Sequence, residues 1–328
     1  MTPRRAHAVR LVLTALVAVA AVRPVTAQTQ GDGARVYWKT LAGANAVTFW
    51  PVLASGNANP FDPSHTVSPS AHVDATLAML GVHKVLPLHG RSSTLSLFLP
   101  VGNLNGQVTG VPTTPTESSR GFGDPMAQLT VNLAGAPAIR TLAQAARYEP
   151  KFTVDLLGAL AVPVGEYTDA QGLNLGQNRW YGRIGMPVMV ALAPWVPGQR
   201  TTLEVLPAVW FFGENDDRHG GTLTNDPLFQ LEGHVTRDFT ETFWGSFDAS
   251  WFAGATPTTD GVVGDALNNS GVGFTLGFQV TPNLAINTSY FSTVGDGAAT
   301  DLEADEFRVM FTYGWHALLE GVKRIGKE

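Results

Sequence analysis

The chain is written in short stretches of period-two alternation, the pattern of a strand whose two faces meet different surroundings. Over residues 271–280, Val272, Phe274, Leu276, Phe278 and Val280 share one face, while Gly271, Gly273, Thr275, Gly277 and Gln279 share the other. Residues 307–315 set Phe307, Val309, Phe311, Tyr313 and Trp315 against Arg308, Met310, Thr312 and Gly314. Phe152, Val154, Leu156, Leu160, Val162 and Val164 oppose Lys151, Thr153, Asp155, Ala159 and Ala161, and Ile184, Met186, Val188 and Val190 oppose Arg183, Gly185 and Met189. Elsewhere single polar residues sit between apolar neighbours: Glu204 between Leu203 and Val205, Glu232 and His234 among Phe229, Leu231, Gly233 and Val235, and Asp248 between Phe247 and Ala249.

This pattern predicts strands near 44–53, 73–86, 93–102, 126–134, 150–164, 179–192, 201–212, 227–237, 242–253, 271–281, 284–294 and 305–315. Each is close to the ~10 residues that a tilted transmembrane strand needs. The stretches between them alternate in length. Residues 54–72, 103–125, 165–178, 213–226, 254–270 and 295–304 are long; 87–92, 193–200, 238–241 and 282–283 are short. Residues 135–149 break the rhythm, with a helical turn expected at 139–146. A meander with long loops at one end and tight turns at the other produces this order, whereas a Greek-key sandwich does not.

Alternation alone does not say which face is hidden. Here the bulky face opposes Gly, Ser, Thr and scattered charges, as it does when lipid bathes the outside of a barrel and polar groups fill its lumen. Aromatic clusters near strand ends suit the two headgroup interfaces: Phe49 with Trp50, Trp180 with Tyr181, Trp210 with Phe211 and Phe212, Phe243 with Trp244, Tyr290 with Phe291, and Tyr313 with Trp315. The expected fold is all-β, a single up-and-down antiparallel transmembrane β-barrel of about twelve strands with N- and C-termini periplasmic. Its core spans about residues 44–315.

The first residues change the picture of where this barrel resides. Arg4, Arg5 and Arg10 precede an apolar stretch from Leu11 to Val22, and Val25-Thr26-Ala27 offers the small residues a signal peptidase requires. Cleavage after Ala27 leaves residues 28–328 as the outer-membrane domain. The apolar stretch is about half the ~20 residues of a spanning helix and stops at Arg23-Pro24. A net charge of −6 provides no basic surface for nucleic acid, and zero cysteines exclude thiol catalysis, thiolate metal sites and disulfides.

Residues 120–125 read Arg-Gly-Phe-Gly-Asp-Pro, and residues 163–180 read Pro-Val-Gly-Glu-Tyr-Thr-Asp-Ala-Gln-Gly-Leu-Asn-Leu-Gly-Gln-Asn-Arg-Trp. These stretches resemble the signatures of the outer-membrane family named for the meta-cleavage pathway of phenol degradation, over roughly residues 48–315. The resemblance implies an exported barrel that transports aromatic or other hydrophobic compounds. The matching positions are Gly121, Gly123, Asp124, Pro163, Gly165, Tyr167, Asn174, Gly176, Asn178 and Trp180. Their residue types read first as turn chemistry, with Gly supplying positive φ and Asp or Asn capping the turn. The chain departs from a common barrel habit by continuing past Trp315 to Glu328.

Lys or Arg facing lipid would cost ~2–4 kcal/mol each at the midplane. Lys151, Asp155, Arg183, Glu204, Glu232, His234, Asp248 and Arg308 are therefore expected to line the lumen, paired with one another across it, and to be the candidate solute-binding residues. No Gly-x-Ser-x-Gly elbow, His-Glu-x-x-His helix or P-loop occurs. A strand-borne pair, His234 with Ser246 or Asp248, keeps a lipid hydrolase as one alternative, with a lumen polar network the favoured reading. Asp296, Asp301, Glu303, Asp305 and Glu306 crowd one connection and Asp216 with Asp217 another, but no EF-hand spacing occurs, so a solvated acidic surface is expected rather than a Ca²⁺ site.

The expectation is a transporter of small hydrophobic or aromatic compounds, not an enzyme, without cofactor or metal. Its partners are outer-membrane lipid, its solute and the barrel-assembly machinery. A structural or adhesive barrel and a soluble lipocalin-like periplasmic barrel are the further alternatives.

Overall fold

The computed structural model describes residues 31–67, 70–108, 116–218, 220–295 and 301–319. The leader expected at 1–27 lies outside them. The elements in chain order are β1 (Asn45–Gly56), β2 (Ala71–Leu88), β3 (Arg91–Val108), β4 (Thr116–Phe122), β5 (Met126–Ala134), α1 (Leu142–Arg147), β6 (Phe152–Ala161), β7 (Tyr181–Gly185), β8 (Val188–Ala191), β9 (Thr201–Phe212), β10 (Asn215–Arg218), β11 (Gly221–Asn225), β12 (Leu228–Asp238), β13 (Phe243–Gly254), β14 (Pro257–Thr259), β15 (Val262–Val263), β16 (Leu267–Gln279), β17 (Leu284–Val294) and β18 (Ala304–Trp315).

Antiparallel pairing runs between sequence neighbours around the whole wall, and β18 closes on β1 with Phe49 opposite Phe311. Two wall strands are each built in two pieces, β4 with β5 and β7 with β8, so the closed barrel has twelve strands. The breaks fall at Pro125 and Pro187, which have no N–H to give a ladder. Their carbonyls stay in use: Val162 N–H donates to Pro125 at 3.0 Å and Asp155 N–H to Pro187 at 2.9 Å. The β2–β3 hairpin turns on His89 and Gly90, both at positive φ (46° and 76°), the two-residue turn whose twist matches its strands.

The wall sets bulky side chains outward. Leu160, Ile184, Phe229, Val235, Phe247 and Phe274 are each at least half exposed or close to it, while the intervening Asp155, Arg183, Glu232, Asp248 and Thr275 are buried. A continuous apolar belt of this size is stable only against hydrocarbon. The described residues contain no helix long and apolar enough to cross a membrane, so the strands are the crossing elements. Phe247→Arg, on the outer face in the middle of β13, is expected to cost ~2–4 kcal/mol of folding free energy, read as a lowered urea midpoint for the lipid-embedded barrel. An unchanged midpoint would place that face in water.

Tyr313 and Trp315, two positions apart, lie together on the outside, whereas directly adjacent aromatics are divided between the two sides. Phe49, Trp180, Phe211, Tyr313 and Trp315 are exposed, whereas Tyr181 and Phe291 are buried. Consecutive strand residues point oppositely, so a doublet cannot have both rings in one interface. The inward rings carry guanidinium groups: Arg308 lies 5.5 Å from the Trp50 ring centre and Arg183 lies 4.9 Å from that of Trp210.

Three connections also hold more structure than their composition suggests. β2 and β3 run well past the apolar belt, to paired Ala71 and Val108, on polar residues such as Asn103 and Asn105. Residues within 213–226 and 254–270 form a separate four-stranded sheet, β10–β11–β14–β15, from strands too short to show a period. The helical turn in 135–149 is α1, where Thr141 accepts from Gln144 N–H and the Gln144 side chain accepts from Thr141 N–H, a reciprocal cap that starts the helix at Leu142, three residues into the expected range.

Candidate functional site

The lumen is occupied by the chain's own residues 31–44, which precede β1. This segment begins with Gly31, whose carbonyl accepts from Arg308 at 3.2 Å, and Asp32, whose N–H donates to Glu232 at 3.0 and 3.2 Å. The Asp32 carboxylate pairs with Arg183 at 2.7 Å and accepts from Tyr37. Arg35 spans two strands, donating its backbone N–H to Glu204 at 2.7 Å and pairing its guanidinium with Asp238 at 2.7 Å. Trp38 donates its indole N–H to the other oxygen of Glu204 at 2.7 Å, and Lys39 pairs with Asp155. At its end the segment is stitched to the β5–α1 connection and to β2: Ala42 N–H donates to Ile139 at 2.7 Å and Gly43 N–H to Val85 at 2.9 Å.

The sequence-predicted lumen residues therefore fall into three groups. Asp155, Arg183, Glu204, Glu232 and Arg308 are buried and grip the segment, so their partners are mainly its groups rather than one another. A charge pointing into a filled barrel meets the filler before it meets the far wall. His234 and Asp248 do pair directly, Nδ1 to Oδ1 at 2.8 Å, with Glu232 on the other ring nitrogen at 3.5 Å. Lys151 is the correction: it precedes β6, lies exposed, and the cation on Asp155 is Lys39 instead. Glu306 is a second one, being fully buried beside Arg308 at 2.7 Å rather than part of a solvated acidic loop.

The serine–histidine alternative meets an unfavourable geometry. Ser246 and His234 both bond the same oxygen of Asp248, at 2.7 and 2.8 Å, and a hydroxyl that donates to a carboxylate is not donating to the imidazole that should activate it. Among the described residues no group of three or more acidic or histidine side chains is arranged to hold a metal; Asp296 lies outside them. Asp305 accepts from the Tyr290 hydroxyl at 2.9 Å, and Asp216 and Asp217 are exposed.

Above the filled lumen the long connections fold over the mouth. The Asp124 carboxylate joins the two signature stretches, accepting from Gly165 N–H at 2.9 Å and Gln177 N–H at 2.8 Å. Gly165 and Gly176 meet backbone to backbone; a Cβ on either would lie 2.7 Å from main-chain atoms of its neighbours, so no other residue fits this crossing. Asn174 closes its own turn by accepting from Thr168 N–H at 2.7 Å and donating to Gln171 O at 2.9 Å. Tyr167 donates to Asp217 O at 2.9 Å, Asn178 adopts φ 51°, Gly121 lies against Glu166, Gly123 against Phe61, Pro163 precedes the crossing, and Trp180 faces outward.

The loop after β1 reaches into the same mouth. Arg179 and Asp62 form a buried pair at 3.2 Å, and Arg179 also donates to Asn225 at 2.6 Å. Burial alone would raise the Asp62 carboxyl; Arg179 together with the hydrogen bonds from Ser64 outweighs it and holds it below the usual range. Burial takes the neighbouring His65 imidazole down to about 4 against the opposing pull of Asp62, so it is neutral near pH 7. Beside this pair lies a cavity of about 190 Å³, walled partly by Val73, Leu173 and Leu223.

Sequence reasoning missed the gripping segment itself. Its signal is Arg35-Val-Tyr-Trp-Lys39, a charged aromatic run ahead of the first strand whose charges complement the inward ones.

The model of the family of the MetA-pathway of phenol degradation matches residues 54–311. An outer membrane channel from Pseudomonas putida F1 is similar at a TM-score of 0.68 and 14% identity, over 86% of this chain and 99% of that one. The β domain of the Bordetella autotransporter BrkA is similar at 0.49 and 9% identity, over 84% and 100%. A Pseudomonas aeruginosa FadL homologue is similar at 0.36 and 9%, over 83% and 89%. No curated protein matches the chain in sequence.

Proposed function

Because this chain belongs to the family of the MetA-pathway of phenol degradation and has the fold of an outer-membrane β-barrel channel, we propose that it passes small hydrophobic or aromatic compounds, with residues 31–44 as a displaceable gate. The observation that carries the reading is how the lumen is closed. The segment is held largely by ion pairs and hydrogen bonds to wall groups, contacts that water can replace, rather than by an interdigitated apolar core. Inward rings border it, Trp50 on Phe98 at 5.7 Å and Tyr181 on Trp210 at 6.4 Å, and offer a flat solute a surface of its own kind.

Export through the leader at 1–27, periplasmic termini at the short-turn end and assembly by the barrel-assembly machinery complete the proposal. Twelve strands suit it, since eight are filled by side chains and sixteen or more leave an open aqueous channel. Vesicles carrying the purified full chain in a lipopolysaccharide outer leaflet are expected to take up phenol and toluene faster than protein-free vesicles, with saturation. Rates equal to the empty control would end the transport reading.

A further inference from the structure

The first cationic side chain of the gate sits in a place that the wall builds for it. Asp238 on β12, Trp244 on β13 and Gly277 on β16 are direct cross-strand partners and make one row on the inner face. Gly277 gives the indole its room, because a Cβ at that position would run into the Trp244 ring. Arg35 brings its guanidinium to 4.2 Å from the Trp244 ring centre and to the same distance from that of Trp38. It donates to Asp238 Oδ1 at 2.7 Å and, through Nε, to the Thr236 hydroxyl at 3.0 Å. An indole face, a carboxylate oxygen and a hydroxyl together recognise a flat cation. Trp244, Asp238 and Thr236 belong to the wall, so all three stay when the gate leaves.

The tethered occupant fills this place imperfectly. Arg35 Nη2 is buried and finds no acceptor among the described residues, and an unsatisfied buried donor costs the closed state free energy. Arg200 takes the other carboxylate oxygen of Asp238 at 2.7 Å and leaves Oδ1 to whatever stands where Arg35 does. The Arg200 side chain is 22% exposed and Trp244 is partly exposed, so the row is not closed off from water.

We propose that this row is a binding site for a small solute carrying a guanidinium group, and that Arg35 occupies it as a tethered stand-in. A free guanidinium that takes Trp244, Asp238 Oδ1 and Thr236 excludes Arg35 and so favours the displaced position of residues 31–44. A ligand that binds one of two states shifts their balance by its difference in affinity. Charge and planarity set the class: a urea of the same shape leaves the carboxylate facing a neutral group, and an alkylammonium lacks the flat fork that stacks on an indole while bonding two oxygens.

The effect on the gate rests on the transport reading, whereas the binding does not, and the two are measured apart. The full chain in detergent, at constant ionic strength, is titrated with ethylguanidinium, ethylurea and propylammonium, with binding read by ligand-observed NMR. Arg35→Ala, which vacates the site, is expected to bind ethylguanidinium at least about tenfold more tightly than the unaltered chain does, and in preference to the other two solutes. Adding Asp238→Asn or Trp244→Leu to Arg35→Ala is expected to weaken that binding about tenfold each. Heat-modifiable gel mobility identifies folded variants, and Trp244→Leu keeps the test standing if Asp238→Asn, which also strips Arg200 of its partner, fails to fold. In planar bilayers ethylguanidinium is expected to raise the open probability of the unaltered chain saturably, and ethylurea to leave it unchanged.

Ethylguanidinium binding that is no tighter in Arg35→Ala, that survives the added changes, or that ethylurea or propylammonium matches, would overturn the site. Binding as described with no change in open probability would leave the site standing and remove the gate. An open probability raised equally by ethylguanidinium in Trp244→Leu and in the unaltered chain would keep the gate and overturn the site.

Discussion

Deletion of residues 31–43, with residues 1–30 left in place, is expected to raise single-channel conductance in planar bilayers several-fold and to make the pore cation-selective. The size of the effect follows from what leaves. The segment crosses a lumen intermediate between barrels filled by side chains and barrels with open channels, so its removal frees the space that a water column needs. The selectivity follows from what stays. Arg35 and Lys39 depart with the segment, and the inward carboxylates of Asp155, Glu204, Glu232, Asp238, Asp248 and Glu306 then outnumber the cations that stay beside them, Arg183, Arg308 and, on Asp238, Arg200, with His234 held between two of the carboxylates. Rings of carboxylates favour cations. Reversal potentials across a salt gradient check the sign. A deletion variant with full-length conductance would show that another element sets the constriction.

The wall of this barrel was legible in the sequence because its two faces meet such different surroundings. Phe247 beside Asp248, or Leu203 beside Glu204, leaves a strand one tolerable orientation, and a register slip would expose every pair wrongly. Above the belt that contrast changes. One face of the outer halves of β2 and β3, with Val73, Ala75 and Leu104, packs beneath the mouth loops, while the other carries Asn103 and Asn105 in place of bulky outward residues, so these read as loop although both belong to a paired strand. The two-residue β15 and the three-residue β14 are shorter than any period. The gripping residues of the wall stand out in the alternation, but their partners do not, because ion pairing between Lys39 and Asp155 joins positions 116 residues apart and nothing local encodes it. Lys151 failed for the complementary reason: the alternation extends one residue beyond the strand that justifies it.

Removing one side of the Arg183–Asp32 grip should show whether these charges serve the gate or merely the barrel. Arg183→Met leaves the Asp32 carboxylate inside the lumen with the Tyr37 hydroxyl as its remaining close side-chain partner and no paired cation. Breaking a buried pair on one side costs ~3–5 kcal/mol. In a folded core that cost would appear as lost stability. Here residues 31–44 run into the wall strands at Asn45, and a segment held mainly by polar contacts can carry the orphaned charge out into water. The expected result is a closed-to-open ratio shifted at least about a hundredfold toward open in bilayer recordings, with the thermal midpoint of the barrel lowered only slightly. Asp32→Asn alone should open the pore for the converse reason, leaving Arg183 with only the Gln128 oxygen at 3.0 Å. The double variant, Asp32→Asn with Arg183→Met, buries no unpaired charge and should close again, so the two changes are strongly non-additive. Equal, additive opening in singles and double would mean that the pair does not latch the segment, and equal loss of barrel stability in all three would mean that it belongs to the fold rather than to the gate.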